Sequence, residues 1–594
     1  MGVPGFFGWL LKQYKEHKML CNKLDSISTL YIDANCLIHP QCRIVADYCK
    51  DIYDMERLEK KMFQRISNYL DFLLAYANPQ DEFFIAIDGS APLAKINQQR
   101  KRRIRTLDDT SIRNEIKKKY KMEINNTWDS TRITPGTTFM SRLHNHLLYY
   151  INELSKKRPN IKITYSSFHT SGEGEHKILE DIRFKQKNDI IFNDKNICIY
   201  GLDADLIFLA MASQKNNVYL LRESVQFSGK SIPNEIYDIL TDVAEEMTYL
   251  SIDNMKECYV RQIINIINNR IESENNTHTK ITYMDDKLKL FSNDFVLLCY
   301  FLGNDFLPHL PSIDIKRNGL DILIDAYVDV YLTINMHLMN DKLEINQYMF
   351  MEIIRLLGEK EEEYFTKIKP SFDNKFNRKQ CPVQDPYQKK IWELDNLKNI
   401  KIDDPIQLGF GNKDIWKYRY YEHYFNTSEY QTIMINKLCE NFIEGIIWTT
   451  KYYFEGCPSW MWQYKYSHSP FLSDIYQYLL NNNINLDNIH FTKDAPLNPC
   501  VQLLAVLPSG CSHELPFKYR QLVKSVDSPI IDMYPTKVKL DLINKDLLWQ
   551  AIPFMPYLDI QRIIKVIQNI QLSKEEQERN TILDNFVINN KLIT

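Results

Sequence analysis

The chain has 594 residues, 44% of them apolar and 25% charged, and a formal net charge of −3 at pH 7. That length supplies several domain-sized cores or one large catalytic body with insertions, and at whole-molecule level the near-neutral charge gives no sign of nucleic acid. No run approaches the roughly 18 apolar residues of a membrane span; the densest, 295–302, reads as a short buried element.

The first residues, Met1-Gly-Val-Pro-Gly-Phe-Phe, lack the basic region and long apolar core of an export signal, and Phe6 stands where a myristoylation signal has Ser or Thr. Neither export nor a lipid anchor is expected. Twelve cysteines lie scattered without a CxxC pair, the pattern of reduced thiols in a cytosol-like compartment rather than of disulfides or structural zinc. A cytoplasmic location is therefore expected, with the nucleus as the other reading. An abundance of Asn, Ile, Lys and Tyr fits an AT-rich genome, a viral one included.

In chain order, three short apolar runs each lead to a carboxylate: Tyr31-Ile32 to Asp33, 83–87 to Asp88, and 197–201 to Asp203. They read as buried parallel strands. Helical patterns at 55–76 and 139–155 fall between them, so the chain is expected to be α/β, with a mostly parallel central sheet flanked by helices. In such sheets the site gathers at the carboxyl ends of strands. From 321 to 426 the sequence turns mainly helical and charged, with a Pro-punctuated stretch at 369–386; an aromatic-rich segment, 448–471, follows.

Seven carboxylates sit at strand ends or in Gly-flanked turns: Asp33, Asp88, Glu173, Glu175, Asp203, Asp205 and Asp305. Hard divalent cations take oxygen ligands, and two magnesium or manganese ions about 4 Å apart are what phosphodiester hydrolysis asks of such a cluster. In Ser171-Gly-Glu-Gly-Glu-His the two glutamates are expected on one side of an extended segment, and Asp203 and Asp205 share that spacing. Singly, each acid reads equally as a cap or turn residue; as a set after apolar strands, they do not.

Eleven Lys or Arg residues lie between Lys95 and Lys121. Lys95, Gln99 and Arg102 fall on one helix face with Arg103 beside them, placed to converge on a phosphate. Alone, this segment reads as a solvated face; it starts just after Asp88, which favours a pocket. His39, six residues beyond Asp33, and Trp460 and Trp462 read individually as structural residues, although aromatic stacking is how single strands are commonly held.

Taken together, these segments resemble the Xrn family of 5′-to-3′ exoribonucleases. The resemblance rests on Met1-Gly-Val-Pro-Gly-Phe-Phe, Tyr31-Ile-Asp-Ala-Asn-Cys-Leu-Ile-His, Ala91-Pro-Leu-Ala-Lys-Ile-Asn-Gln-Gln-Arg, Ile133-Thr-Pro-Gly-Thr, Gly172-Glu-Gly-Glu-His-Lys, Tyr200-Gly-Leu-Asp-Ala-Asp-Leu-Ile and Phe301-Leu-Gly-Asn-Asp-Phe-Leu-Pro-His-Leu-Pro, and then on Gly456-Cys-Pro-Ser-Trp-Met-Trp, Val506-Leu-Pro-Ser-Gly and Ser528-Pro-Ile-Ile-Asp-Met-Tyr-Pro. It implies a PIN-like or flap-endonuclease-like core in residues 1–330, a helical and loop connector in 331–430, and a second region in 431–594 packed on the first to form one catalytic body.

The resemblance further implies that the seven acids bind two magnesium ions and that Lys95, Gln99, Arg102 and Arg103 hold a 5′-monophosphate. His39 and either Trp460 or Trp462 would stack on the terminal base, and Pro92 would help exclude duplex. The implied substrate is single-stranded RNA with a 5′-monophosphate, supplied by an upstream decapping enzyme. A monomer needing no small-molecule cofactor is expected. Gly5 and Cys36 depart from the family, which usually has a basic residue and Gly there, and the long C-terminal extensions of larger members are not expected in this chain. Two competing readings are a structure-specific flap-type endonuclease on DNA and an inactive relative that binds RNA 5′ ends.

Overall fold

The computed structural model describes residues 5–14, 19–49, 52, 54–124, 128–224, 240–241, 243–273, 280–283, 285–375, 381–397, 402–427 and 432–583. The first four residues of the N-terminal motif and part of the 369–386 stretch lie outside them.

Seven strands, β1 (Leu20–Cys21), β2 (Thr29–Asp33), β3 (Glu82–Ala86), β4 (Lys162–Ser166), β5 (Ile197–Tyr200), β6 (Val218–Glu223) and β7 (Met247–Ser251), form one sheet in the order β1-β7-β6-β5-β2-β3-β4. The five from β6 to β4 are parallel, and β7 and β1 are antiparallel to their neighbours. The three predicted strands are therefore present and buried. Their lack of polar alternation has a direct cause, because both faces of the sheet are covered. Tyr31, Phe84 and Ile199 point into one hydrophobic cluster, and Leu30, Ile32, Phe83, Ile85 and Cys198 into another.

Helices α1 (Phe6–Gln13), α2 (Ala34–Tyr48), α3 (Met55–Ala77), α4 (Leu93–Lys119), α5 (Thr138–Lys157), α6 (Gly174–Asn188) and α7 (Asp205–Ala212) accompany the sheet. The two helices read from periodicity, 55–76 and 139–155, are α3 and α5 within two residues at each end. Asp54 caps α3 by accepting from Glu56 N and Arg57 N, and Leu58, Met62, Phe63, Ile66, Tyr69 and Leu73 give it one buried face. That face and the apolar face of α5 fill the second cluster.

The other cluster joins Phe6, Tyr31 and Phe84 to Phe442, Tyr452 and Phe471, so the mainly helical later chain packs directly on the sheet. A third joins Ala91, Leu93 and Ile96, at the start of α4, to Leu503, Leu504, Ile560 and Ile563. Arg100 fastens this contact by donating to Pro556 O at 2.8 Å. No described helix is long and apolar enough to cross a membrane.

The chain runs outward from β2 through β3 to β4, then returns to β5 on the other side of β2. The carboxyl ends of β2 and β5 thus flank a topological switch point, where an open parallel sheet leaves a crevice.

Candidate functional site

Asp33 ends β2, Asp88 follows β3 by two residues, and Asp203 and Asp205 follow β5. The register pairs Asp33 with Ala86 and Ile32 with Tyr200, so these strand ends are level and deliver their carboxylates to one edge. Glu173 and Glu175 arrive on α6, and Asp305 on the loop beyond Leu302. Asp33, Glu173, Glu175, Asp205 and Asp305 are all buried, whereas Asp203 is exposed at the rim.

The extended geometry expected for the acid pairs is corrected by the structure. Glu173 is the N-cap of α6 and Glu175 lies in its first turn, while Asp205 opens α7. One helical turn still brings the carboxylates of Glu173 and Glu175 together: their oxygens and a ring nitrogen of His176 lie within 4.8 Å of one another. Helix N-termini carry partial positive charge, and those of α2, α6 and α7 all open at these acids.

That compensation is incomplete, and the acids show it. Burial, then the neighbouring Asp88, pushes Asp33 well above the usual carboxylate range; burial, then Asp205, does the same to Glu175. Burial raises Glu173 to about 7 and Asp205 to about 6. Asp33 Oδ1 and Asp205 Oδ1 are buried without a hydrogen-bond partner. Buried anions crowded against their own charge and left with orphaned oxygens are the donor set of a hard divalent cation, so the residues fit magnesium or manganese.

Close packing holds the acids in place. A Cβ on Gly174 would lie 2.7 Å from Asp33 Oδ1, and Gly174 N donates to Asp88 Oδ1 at 2.7 Å. Gly174→Ala is expected to displace Asp33 and lower turnover roughly a hundredfold, the scale of an ångström-sized misplacement at a reacting centre. Turnover at saturating divalent cation, read beside the melting temperature, checks this; unchanged turnover would show that Asp33 tolerates the shift.

Lys95, on α4, is buried between two of the acids: its ammonium pairs with Glu173 and sits 2.7 Å from Asp305 Oδ2. Burial pushes Asp305 up, yet the surrounding positive charge, Lys95 foremost, holds the carboxyl below the usual range. Gln99 is buried, with Oε1 unpartnered. Arg103 donates to Thr134 Oγ1 at 2.7 Å through one amino group and leaves the other without a partner. Arg102 is half-buried beside it. His39 is half-buried, and burial, then Arg102 and Arg103, lowers it to about 4, so it is a neutral ring facing the guanidinium groups.

The two tryptophans part company. Trp462, also half-buried, stacks on Trp448 with ring centroids 5.2 Å apart and packs against the core. Trp460 is half-buried, and its ring edge lies 3.9 Å from where a Gly172 Cβ would stand, beside the acidic turn. Pro92 is buried as the N-cap of α4, its carbonyl accepting from Lys95 N and Ile96 N.

Several supporting residues escaped the sequence reading. Asn35 donates to Asp88 Oδ2 at 2.8 Å, Tyr452 donates to Glu173 Oε1 at 3.0 Å, and Tyr452 also lies against His176 at 3.7 Å between ring centroids. Lys177, lowered to about 7 by burial, donates to Ile87 O and Ser167 O and so ties the ends of β3 and β4 to α6. Cys36 donates to Asp33 Oδ2 at 2.9 Å and accepts from Leu202 N at 3.4 Å, while Arg222 donates to Leu202 O. The peptide just before Asp203 is thereby gripped at both ends. Asn35, Cys36, His176 and Lys177 belong to the motifs quoted above, Cys36 as a departure from the family; for Tyr452 and Arg222 the sequence carries no signal. Gly5 caps α1 with φ of 92°, a left-handed conformation that favours glycine over the basic residue usual in the family.

Residues 1–224 match the family described as "XRN 5′-3′ exonuclease N-terminus", and residues 287–393 and 368–592 match "Xrn1 helical domain". Among curated proteins the chain is 32% identical to the 5′-3′ exoribonuclease 1 of Homo sapiens, across 98% of this chain and 35% of that protein. It is 28% identical to the 5′-3′ exoribonuclease 2 of Debaryomyces hansenii, across 98% of this chain and 71% of the relative, and 28% identical to that of Arabidopsis thaliana, across 98% and 69%. The chain thus spans about a third of the human relative and about 70% of the other two.

Proposed function

We propose, for a chain that belongs to the Xrn 5′-3′ exonuclease family, that it removes nucleotides one at a time from single-stranded RNA carrying a 5′-monophosphate and releases nucleoside 5′-monophosphates. The observation that carries this reading is the meeting of a buried carboxylate cluster with a cationic helix face, joined through Lys95. A metal cluster alone serves many hydrolases; a phosphate pocket built against it sets the distance from the 5′ end to the bond that breaks.

Asp33, Asp88, Glu173, Glu175, Asp203, Asp205 and Asp305 would hold two magnesium ions, with manganese as the alternative. When bound, such ions activate water and neutralise charge developing on the leaving oxygen. The remaining work falls to side chains. Gln99, Arg102 and Arg103 donate to the 5′-phosphate, joined by Lys95 once cations relieve it of Glu173 and Asp305. His39, uncharged at neutral pH, offers a flat face to the terminal base, and Trp460 is the tryptophan placed near enough to the acidic turn to complete the stack. Trp462 serves the core. A capped or triphosphorylated end is too bulky for this pocket, so removal of the cap or of pyrophosphate must come first. The chain works in RNA decay, as a monomer in the cytoplasm.

The acids also set a pH dependence. Glu173 and Asp205 titrate at about 7 and about 6 in the fold, against ordinary values of 4.5 and 3.8. Between each pair of values the folded state holds protons that the unfolded chain has released, so without metal this contribution to stability is present at low pH and lost as pH rises toward 7. Magnesium requires the deprotonated acids, so its stabilising effect grows across the same window. Melting temperatures at about pH 5.5 and about pH 8, with and without magnesium, are expected to show the larger magnesium shift at pH 8; equal shifts would count against these ligands.

The exonuclease reading is separated from a flap-type endonuclease by a 3′-labelled single strand. The expected pattern is loss of full-length RNA without discrete internal fragments; accumulation of such fragments would support the endonuclease.

A further inference from the structure

Beyond the phosphate pocket, α4 presents a second cationic face. Lys101, Arg102 and Arg105 line a cleft of about 180 Å³ between α4 and the later chain, with Tyr464 and Tyr466 among its lining residues and Gln98 and Asp305 at the end nearest the acids. Among the described residues, none of these three cations makes a salt bridge, whereas Arg113, further along the same helix, is paired with Asp109 and Asp395. Tyr464 is nearly buried and gives its hydroxyl to His468 O, which leaves half-buried Tyr466 as the accessible ring. Unpaired cations facing an aromatic ring are the chemistry of a nucleotide, phosphate on one side and base on the other.

Three observations favour a free nucleotide over the incoming strand. The residues that receive the 5′ end in the proposed function, His39, Gln99 and Arg103, do not line this cleft. Arg102 belongs to both, so a phosphate leaving Gln99 and Arg103 meets Arg102 next and then Lys101 and Arg105, one turn or less along the helix. Asp305 is among the lining residues, so the cleft opens directly beside the acidic cluster where a nucleotide would be released.

We infer that this cleft is the exit subsite for the released nucleoside 5′-monophosphate, Lys101 and Arg105 taking its phosphate and Tyr466 its base. The inference rests on the exonuclease reading. Its test uses adenosine 5′-monophosphate as the probe, titrated calorimetrically into the full chain with magnesium present, beside the KM for a 5′-monophosphorylated RNA.

Lys101→Ala/Arg105→Ala is expected to weaken binding of the mononucleotide roughly tenfold or more, as loss of charged hydrogen bonds does, and to leave the KM for RNA within about twofold. Tyr466→Ala should act in the same direction; it carries the test if the double variant fails to fold. Parallel loss of RNA and mononucleotide affinity would overturn the proposal and make the cleft part of the entry path. Unchanged mononucleotide affinity, affinity that depends on Arg103 instead, or no binding to the unsubstituted protein would overturn it as well. Because the calorimetric reading needs no turnover, mononucleotide binding through Lys101 and Arg105 in a protein that degrades no RNA would mark failure of the exonuclease reading rather than of the subsite.

Discussion

Replacing Asp205 with alanine is expected to lower release of mononucleotides about a thousandfold while RNA binding stays within a few-fold. Asp205 is buried at the first turn of α7, one of its oxygens has no partner, and its neighbours in the site, Asp305 and Asp203, are themselves acids. Such a residue contributes little to folding by its contacts, and removing one carboxylate from a crowded set relieves repulsion, so the metal-free protein should be as stable as before or more so. What is lost is cation affinity and placement. A catalytic metal is worth several kcal/mol of transition-state stabilisation, of which about 4 kcal/mol corresponds to a thousandfold in rate. Single-turnover rates with excess enzyme separate chemistry from binding. Full activity in Asp205→Ala, at matched magnesium, would remove Asp205 from the site.

Arg102→Ala is expected to erase most of the preference for 5′-phosphate over 5′-hydroxyl RNA, a loss of about 10- to 100-fold in kcat/KM for the phosphorylated substrate alone. Hydrogen bonds to charged groups contribute about 1.5–3 kcal/mol each, and Arg102 has no carboxylate among its described ion pairs to hold it elsewhere. Arg103 differs: Thr134 fixes it, and burial, then Arg102, lowers it to about 9. Removing Arg102 therefore strengthens the charge on Arg103 slightly while removing a half-buried donor, so the effect should fall on end discrimination rather than on folding. The hydroxyl substrate is the internal control. If both substrates slow equally, Arg102 serves the strand rather than its end.

How far the sequence alone leads depends on what each feature rests on. Strands leading to Asp33, Asp88 and Asp203 are legible because a sheet buried on both faces produces an unbroken apolar run, and the carboxylate at or just after it marks its end. Spacing placed Glu173 and Glu175 together for the wrong local reason. The helix begins at Gly174, inside a glycine-flanked segment whose composition argues for a turn, and tertiary contacts to Asp33 and Asp88 decide the matter. Lys95 illustrates the other limit. Helical spacing put it on the phosphate face, but its pairing with Glu173 and Asp305 joins distant parts of the chain and exists only after folding. Trp460 and Trp462, two residues apart in an irregular segment, could not be told apart until Trp448 claimed one of them. The grip of Cys36 and Arg222 on the Leu202 peptide has no local signature at all.

One measurement bears most directly on the central claim: the purified chain incubated with a single RNA prepared with 5′-monophosphate, 5′-triphosphate or 5′-hydroxyl ends, with and without magnesium. Rapid release of nucleoside 5′-monophosphates from the monophosphorylated RNA alone, abolished by removing magnesium, is the predicted result. Equal degradation of all three ends, or degradation that persists without a divalent cation, would contradict it.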